Sequence, residues 1–167
     1  KGGIGRVLHI KADPDQPFQN VAVVSTTREE VLQTTGSRYA PAAPCEAFGR
    51  IAAGEGPALF IGKPCDVAAL RKAQRMDPVL QEKVQVAISI FCAGTPTREG
   101  TMALLQALGV KRSGNVTSFR YRGNGWPGEM TAKCSDGASF SMPYIDAWGK
   151  ILTKHGQLRC RLCPDPT

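Results

Sequence analysis

PALFIGKPCDVAALRKAQR, residues 57–75, opens with an unbroken apolar run, passes through Gly62-Lys63-Pro64-Cys65, and continues as a helical pattern for which Asp66 is the expected cap. VQVAISIFCAGTPTREGTMALLQALG, residues 84–109, repeats the design: an apolar strand, the loop Cys92-Ala93-Gly94-Thr95-Pro96, and a helix beginning at Thr97. Near-continuous apolar strands alternating with helices are the pattern of a parallel sheet covered on both faces. The expected fold is α/β: a mostly parallel sheet flanked by helices.

Upstream, NVAVVST (20–26) reads as a strand, and TREEVLQTTG (27–36) as a short helix with Thr27 as N-cap, Glu29 and Glu30 in the first turn, and Gly36 as its stop. PCEAFGRIAAGEG (44–56) reads as a second short helix. Downstream, NVTSFRYR (115–122) is a third strand, after which the pattern changes. EMTAKCSDGASFSM (129–142) reads as a hairpin turning at Asp136-Gly137. YIDAWGKILTKHG (144–156) follows as a helix, and the chain ends in the cysteine-bearing loop QLRCRLCPDPT.

The 167 residues suffice for one domain, expected to span 1–167, with 42% apolar and 21% charged residues as in ordinary globular proteins. No run of about 18 apolar residues exists to cross a membrane. The N-terminus has neither an initiator Met nor the apolar core of a signal peptide, so the chain is expected to be a processed or excised piece. A net charge of +7, with Arg120, Arg122, Arg159 and Arg161 as the nearest thing to a cluster, suits a phosphate-bearing cofactor or an acidic partner. No nucleic-acid-binding motif accompanies the charge.

Six cysteines in an α/β pattern point to a reducing compartment, here the cytoplasm, and to thiols that bind metal or do redox work. Cys65 and Cys92 each fall just past the carboxyl end of a parallel strand, the crevice where open α/β sheets bind ligands. Backbone N–H groups there would stabilise thiolates. Cys160 and Cys163 form the one C-x-x-C, a spacing that lets two sulfurs reach one metal centre. Together these are four thiols, the number a 4Fe–4S cluster requires. Half of a zinc site or a redox dithiol would leave the same C-x-x-C signature. Cys45 and Cys134 read as buried thiols that behave as small hydrophobes.

FRYRGNGWPG (119–128) is the most unusual stretch. Gly123, Gly125 and Gly128 permit close approach of a ligand to backbone, Arg120 and Arg122 can fork onto phosphate, and Trp126 can stack on a ring. A tight connection with Trp126 capping the core fits the same residues. Gly36-Ser37-Arg38-Tyr39 is a second candidate, which from composition reads as a helix stop and surface turn. The only histidines, His9 and His155, neighbour no nucleophile motif. The chain offers little for hydrolysis and more for electron transfer.

These segments resemble, in order, the beta-subunit family of coenzyme F-420 hydrogenases and dehydrogenases. EEVLQTTGSRY, FIGKPCDVAALRK, ISIFCAGTPTREGT, FRYRGNGWPG, YIDAWG and RCRLCPD are each similar to a family segment, and the opening Gly2-Gly3 is similar to its early glycine pair. The resemblance implies an oxidoreductase that binds FAD and 4Fe–4S clusters and moves electrons between cluster, flavin and a small-molecule hydride acceptor such as coenzyme F-420. It implies a partner subunit as electron donor or acceptor, and homo- or hetero-oligomers. The cysteines that match are Cys65, Cys92, Cys160 and Cys163. The cofactor-binding candidates are Gly2, Gly3, Ser37, Arg38, Tyr39, Gly62, Lys63, Pro64, Arg120, Arg122, Gly123, Asn124, Gly125 and Trp126. The family's helix after the glycine pair is largely missing, as is the ferredoxin-like segment of some members. The chain is therefore expected to be a fragment of a longer member. The rival reading is a non-catalytic metal- or cluster-bearing module that relays electrons or docks a partner. A nucleic-acid-binding zinc domain and a disulfide-stabilised secreted domain are the remaining alternatives.

Overall fold

The structure, a computed structural model, describes residues 3–123 and 125–164, so the candidates Gly2 and Asn124 lie outside the described residues. Strands β1 (Arg6–Ala12), β2 (Asn20–Ser25), β3 (Ala58–Gly62) and β4 (Val84–Ser89) form one sheet in the order β2-β1-β3-β4. β3 lies parallel to both β1 and β4, whereas β2 pairs antiparallel with β1. Helices α1 (Arg28–Gln33), α2 (Phe48–Ala53), α3 (Pro64–Gln74) and α4 (Pro78–Lys83) belong to this half. The second sheet is antiparallel: β5 (Val116–Arg120), β6 (Glu129–Cys134) and β7 (Ser139–Pro143), with α5 (Arg98–Ala107) leading into it. The predicted third strand thus belongs to a separate sheet, because its partner is the adjacent hairpin. That hairpin turns at Gly137, whose φ of +83° needs a residue without a Cβ.

Local chemistry explains the helix ends. Thr27 Oγ accepts from Glu30 N at 3.2 Å, while the Glu30 carboxylate accepts from Thr27 N at 3.2 Å and from Thr26 N at 2.7 Å, so α1 opens with a capping box. Those backbone N–H groups hold the Glu30 carboxyl below its usual range. α1 stops at Gln33, three residues before Gly36. α3 starts earlier than the sequence suggests. Pro64 takes its first position, Lys63 is the cap residue, and Asp66 sits in the first turn, where its carboxylate accepts from Lys63 N at 2.9 Å. Cys65 therefore lies in the helix's first turn rather than in a loop. α4, which the sequence reading passes over, is capped by Asp77, whose carboxylate accepts from Val79 N and Leu80 N.

Leu8, Ala58, Phe60, Leu70, Leu80 and Val84 form the core under the first sheet. Alternation along β3 turns Leu59 and Ile61 to the opposite face, and a register shift between the Ala58–Val84 and Leu59–Val86 pairs brings Val86 and Ile88 of β4 onto that face as well. Coverage there is incomplete: Val86 and Ile88 are exposed, and Phe91 just beyond the strand is 94% exposed. The sheet is flanked by helices as expected, while its edge strand β4 keeps Val86 and Ile88 exposed. The second core gathers Phe18, Leu104, Leu105, Phe119, Tyr121, Met130, Ala147 and Leu152. The helix expected over 144–156 is broken into an α turn (Tyr144–Asp146), a π turn (Ala147–Ile151) and a 3-10 turn (Leu152–His155). Thr153 donates its hydroxyl to Gly149 O at 2.9 Å, the kind of back-bond that bends a helix. No helix among the described residues is long and apolar enough to cross a membrane.

Candidate functional site

Two cavities meet at the carboxyl ends of β3 and β4. The smaller, about 300 Å³, is lined by Cys65, Cys92, Cys160 and Cys163 together with Lys63 and Arg159. Parallel pairing of β3 with β4 carries their following segments to one edge of the sheet, which delivers Cys65 and Cys92. The C-x-x-C arrives by a separate device. Thr97 N donates to His155 O at 2.8 Å and Gln157 N to Thr95 O at 3.1 Å, so residues 155–157 run as a strap along the Cys92 loop. Gly100 admits this strap: a Cβ there would lie 2.6 Å from His155 Cβ. The short helix α7 (Leu158–Arg161) then sets Cys160 Sγ within 3.4 Å of Thr95 N, which donates to it.

All six cysteines are free thiols, and the four cavity thiols surround a space rather than converging on a point. Among the described residues no three His, Cys, Asp or Glu side chains lie close enough to hold a single metal ion. Four thiols match in number the donor set of a 4Fe–4S cluster and that of a four-coordinate zinc. The Cys65 thiol is pushed up by burial and by Asp66, against the pull of Lys63 and Arg159. Cys134 is buried in the second core. Cys45 is only half-buried and borders the site, with its Sγ 4.0 Å from Asp66 O.

The larger cavity, about 690 Å³, falls in the size range of cofactor sites. Its walls include Ser37, Arg38, Tyr39, Gly62, Lys63 and Arg122 from the expected set. Tyr144 and Trp148 line it as well, as does His9, none of which stood among the expected site residues. Tyr39 packs on Trp148 at 4.8 Å and on Tyr144 at 5.8 Å between ring centroids. Arg122 lies 3.9 Å over the Trp126 ring and 5.0 Å over that of Tyr144.

Other expected residues serve the frame or lie away from the cavity. Arg38 is spent inside the protein, donating to Pro17 O at 2.6 Å, Gln19 O at 2.8 Å and Asn20 Oδ1. Lys63 pairs with Asp66 at 2.6 Å. A Cβ on Gly62 would meet Phe60 at 2.7 Å and Asp66 at 2.8 Å, so this glycine permits the strand-to-helix turn. Pro64 lines the smaller cavity only. Trp126 is 82% exposed and lines neither cavity, reaching the larger one only through Arg122. Arg120 points outward on β5, Gly125 is exposed, and Gly3 and Gly123 line neither cavity.

The cavities share a wall made of Lys63 and residues 92–95, and Cys92 is the one thiol that lines both. His9 is among the residues that line the larger cavity. It is 6% exposed, with Nε2 2.8 Å from Ser25 Oγ and Nδ1 3.3 Å from Thr34 Oγ1, and burial lowers its pKa below 6.5.

Comparison with known proteins gives the family and supports the fold. Residues 57–167 match the family described as the C terminus of the coenzyme F420 hydrogenase/dehydrogenase beta subunit, and residues 1–48 match the corresponding N-terminal family. No curated protein matches. Among solved structures, a chain of the F420-reducing [NiFe] hydrogenase complex from Methanosarcina barkeri superposes with a TM-score of 0.69 at 21% identity, over 98% of this chain and 54% of that one. At that identity the likeness shows the fold, and the chain spans about half the length of the solved relative. With both family matches covering most of its residues, the chain belongs to the coenzyme F420 hydrogenase/dehydrogenase beta-subunit family of oxidoreductases.

Proposed function

We propose that the chain is the electron-transferring part of a flavin- and 4Fe–4S-dependent oxidoreductase. In this reading Cys65, Cys92, Cys160 and Cys163 hold a 4Fe–4S cluster, and the larger cavity holds FAD and admits a hydride acceptor such as coenzyme F420. A partner subunit supplies or withdraws electrons, as befits similarity to a chain from a hydrogenase complex. The observation that carries the reading is the shared wall: four thiols line one cavity, and Cys92 also lines a cofactor-sized aromatic cavity beside it.

When bound, a cluster exchanges single electrons and a flavin exchanges two together with a hydride. The chain's residues divide the supporting work. The four thiols would ligate iron, and the Thr95 N–H lies where it stabilises negative charge on the Cys160 sulfur. Arg159 adds a positive charge at the same cavity. Tyr39, Tyr144 and Trp148 offer ring faces, Ile61 adds an apolar wall, and Arg122 is placed to receive a phosphate or carboxylate. Six free thiols are suited to a reducing compartment such as the cytoplasm.

Anaerobic purification followed by visible absorption, iron and acid-labile sulfide analysis tests this. Flavin bands on a broad iron–sulfur shoulder, with about four iron per chain, are expected. A colourless protein with stoichiometric zinc would overturn it.

One observation favours the second reading, a non-catalytic relay or docking module. Val86, Ile88, Ile90 and Phe91 are exposed along and just past β4, and Leu158 before the C-x-x-C and Leu162 within it stand in the open. A cluster without bound flavin would favour that reading.

A further inference from the structure

Arg122 is a cation of the larger cavity whose charge is not answered by the protein. Arg38 is committed to Asn20 and to backbone oxygens, and Lys63 pairs with Asp66. Among the described residues no carboxylate pairs with Arg122. Its guanidinium instead lies 3.9 Å over the Trp126 ring and 5.0 Å over that of Tyr144. Tyr144 is stacked on Trp148, with 6.4 Å between ring centroids and 18° between planes, and both belong to the cavity wall. Trp126 is thus joined to that wall through Arg122.

The backbone is built to present Trp126 there. Glu129 N donates to Gly123 O at 2.8 Å and closes the turn that carries Trp126. Tyr144 N donates to Gly128 O at 3.0 Å and ties the turn to the second ring under Arg122. Gly128 has a φ of +79°, and a Cβ on it would collide with Gly123 O and lie 2.7 Å from Gly125 O. Core packing does not account for this arrangement. Trp126 is 82% exposed and lines neither cavity, so holding it in place buries little apolar surface.

What the placement secures is the guanidinium. Rings take up its face, whereas its five N–H donors point outward in its plane. A ring on the face therefore holds the group still and leaves the edge for a forked pair with phosphate. A long cationic side chain that is already held loses less freedom when it binds an anion than a mobile one does.

We propose that Trp126 is a positioning residue: it holds Arg122 in the orientation that grips the phosphate of a nucleotide cofactor in the larger cavity. This rests on the flavin reading proposed above, and it replaces the ring-stacking role that the sequence suggests for Trp126. Tyr144 supports Arg122 from the cavity side, and Trp126 supports it from the solvent side.

The test compares dissociation constants for FAD and for riboflavin, which has no phosphate, read by flavin fluorescence on the anaerobically reconstituted chain. The proteins are the wild type, Trp126→Ala, Trp126→Phe, Arg122→Gln and the Trp126→Ala, Arg122→Gln double variant. Arg122→Gln is expected to weaken FAD binding about 10- to 100-fold. Trp126→Ala is expected to weaken it about 3- to 10-fold and to leave riboflavin affinity and Tm at their wild-type values. Trp126→Phe, which keeps a ring face, should recover most of the loss. In the Arg122→Gln background Trp126→Ala should cost nothing further, because two residues that act through one contact are not additive. Equal loss of FAD and riboflavin in Trp126→Ala would make Trp126 a wall for the flavin ring and overturn the proposal. So would a loss that persists in the Arg122→Gln background, which would mean that Trp126 stacks on the nucleotide itself, and so would wild-type FAD affinity in Trp126→Ala. In each of these cases the wild type binds FAD and the functional reading stands. A wild-type chain that binds neither flavin overturns that reading, and the positioning role with it.

Discussion

Gly100→Ala is a sharp perturbation of the link between fold and site. The new Cβ would stand 2.6 Å from His155 Cβ, 3.2 Å from His155 Cγ and 3.5 Å from Pro96 Cβ. Carbon atoms settle about 3.5–4.0 Å apart, so the strap must retreat by roughly 1 Å. The obstacle is the root of the His155 side chain, which cannot swing away without its backbone. That backbone accepts from Thr97 N at 2.8 Å, and its neighbour Gln157 donates to Thr95 O at 3.1 Å. Overpacking of this kind costs about 1–3 kcal/mol, and each weakened hydrogen bond about 1 kcal/mol within that range. A loss of about 2 kcal/mol corresponds to a fall in Tm of roughly 4–8 °C for a chain of this size. Cys160 and Cys163 ride on the displaced strap, so iron content should fall more than stability does. Urea unfolding and iron analysis of the same preparations make the comparison. Wild-type stability and iron in Gly100→Ala would refute the idea that the strap delivers the C-x-x-C.

Two further outcomes follow from buried polar groups. Tyr121→Phe removes the hydroxyl that donates to Phe18 O at 2.7 Å and sits 3.0 Å from Thr101 Oγ1, leaving two buried groups without a partner. Urea unfolding should show a loss of about 1–3 kcal/mol, and a change under about 0.5 kcal/mol would contradict it. His9 has a folded-state pKa below its ordinary 6.5, so the unfolded chain binds more protons in that window. Stability is therefore fully present above about pH 6.5 and declines as pH falls toward the folded-state value. His9→Gln should flatten that part of a stability–pH curve, which thermal melts between pH 5 and 7 would detect.

Features written in contiguous residues were legible in the sequence. The apolar runs at 57–62 and 84–91, the Thr27 N-cap and the turn at Asp136-Gly137 each depend on neighbours in the chain, and each is found, the strands as Ala58–Gly62 and Val84–Ser89. The meeting of Cys65 and Cys92 at one sheet edge was legible for a related reason. Two parallel strands that share a register end at one edge, so the residues that follow them meet there. What was not legible depends on distant partners. β1 is the strand between β2 and β3, yet RVLHIKA, with His9 and Lys11 interrupting it, does not announce a sheet centre. The exposure of Val86 and Ile88 reflects which elements are absent from that face, and nothing in VQVAIS itself signals it. Trp126 is apolar and glycine-flanked, the composition of a ring-stacking wall, but Arg122 takes its ring face and leaves the rest to solvent. Tyr144 and Trp148 could have been found as cavity residues, since both belong to the distinctive YIDAWG segment.

The cluster assignment is tested by an iron and acid-labile sulfide count on six anaerobically reconstituted variants, each with a single cysteine changed to alanine. Loss of iron in the Cys65, Cys92, Cys160 and Cys163 variants, with about four iron retained in those of Cys45 and Cys134, is the expected result. Iron that is indifferent to the four cavity thiols, or lost equally on changing Cys134 in the buried core, would contradict it.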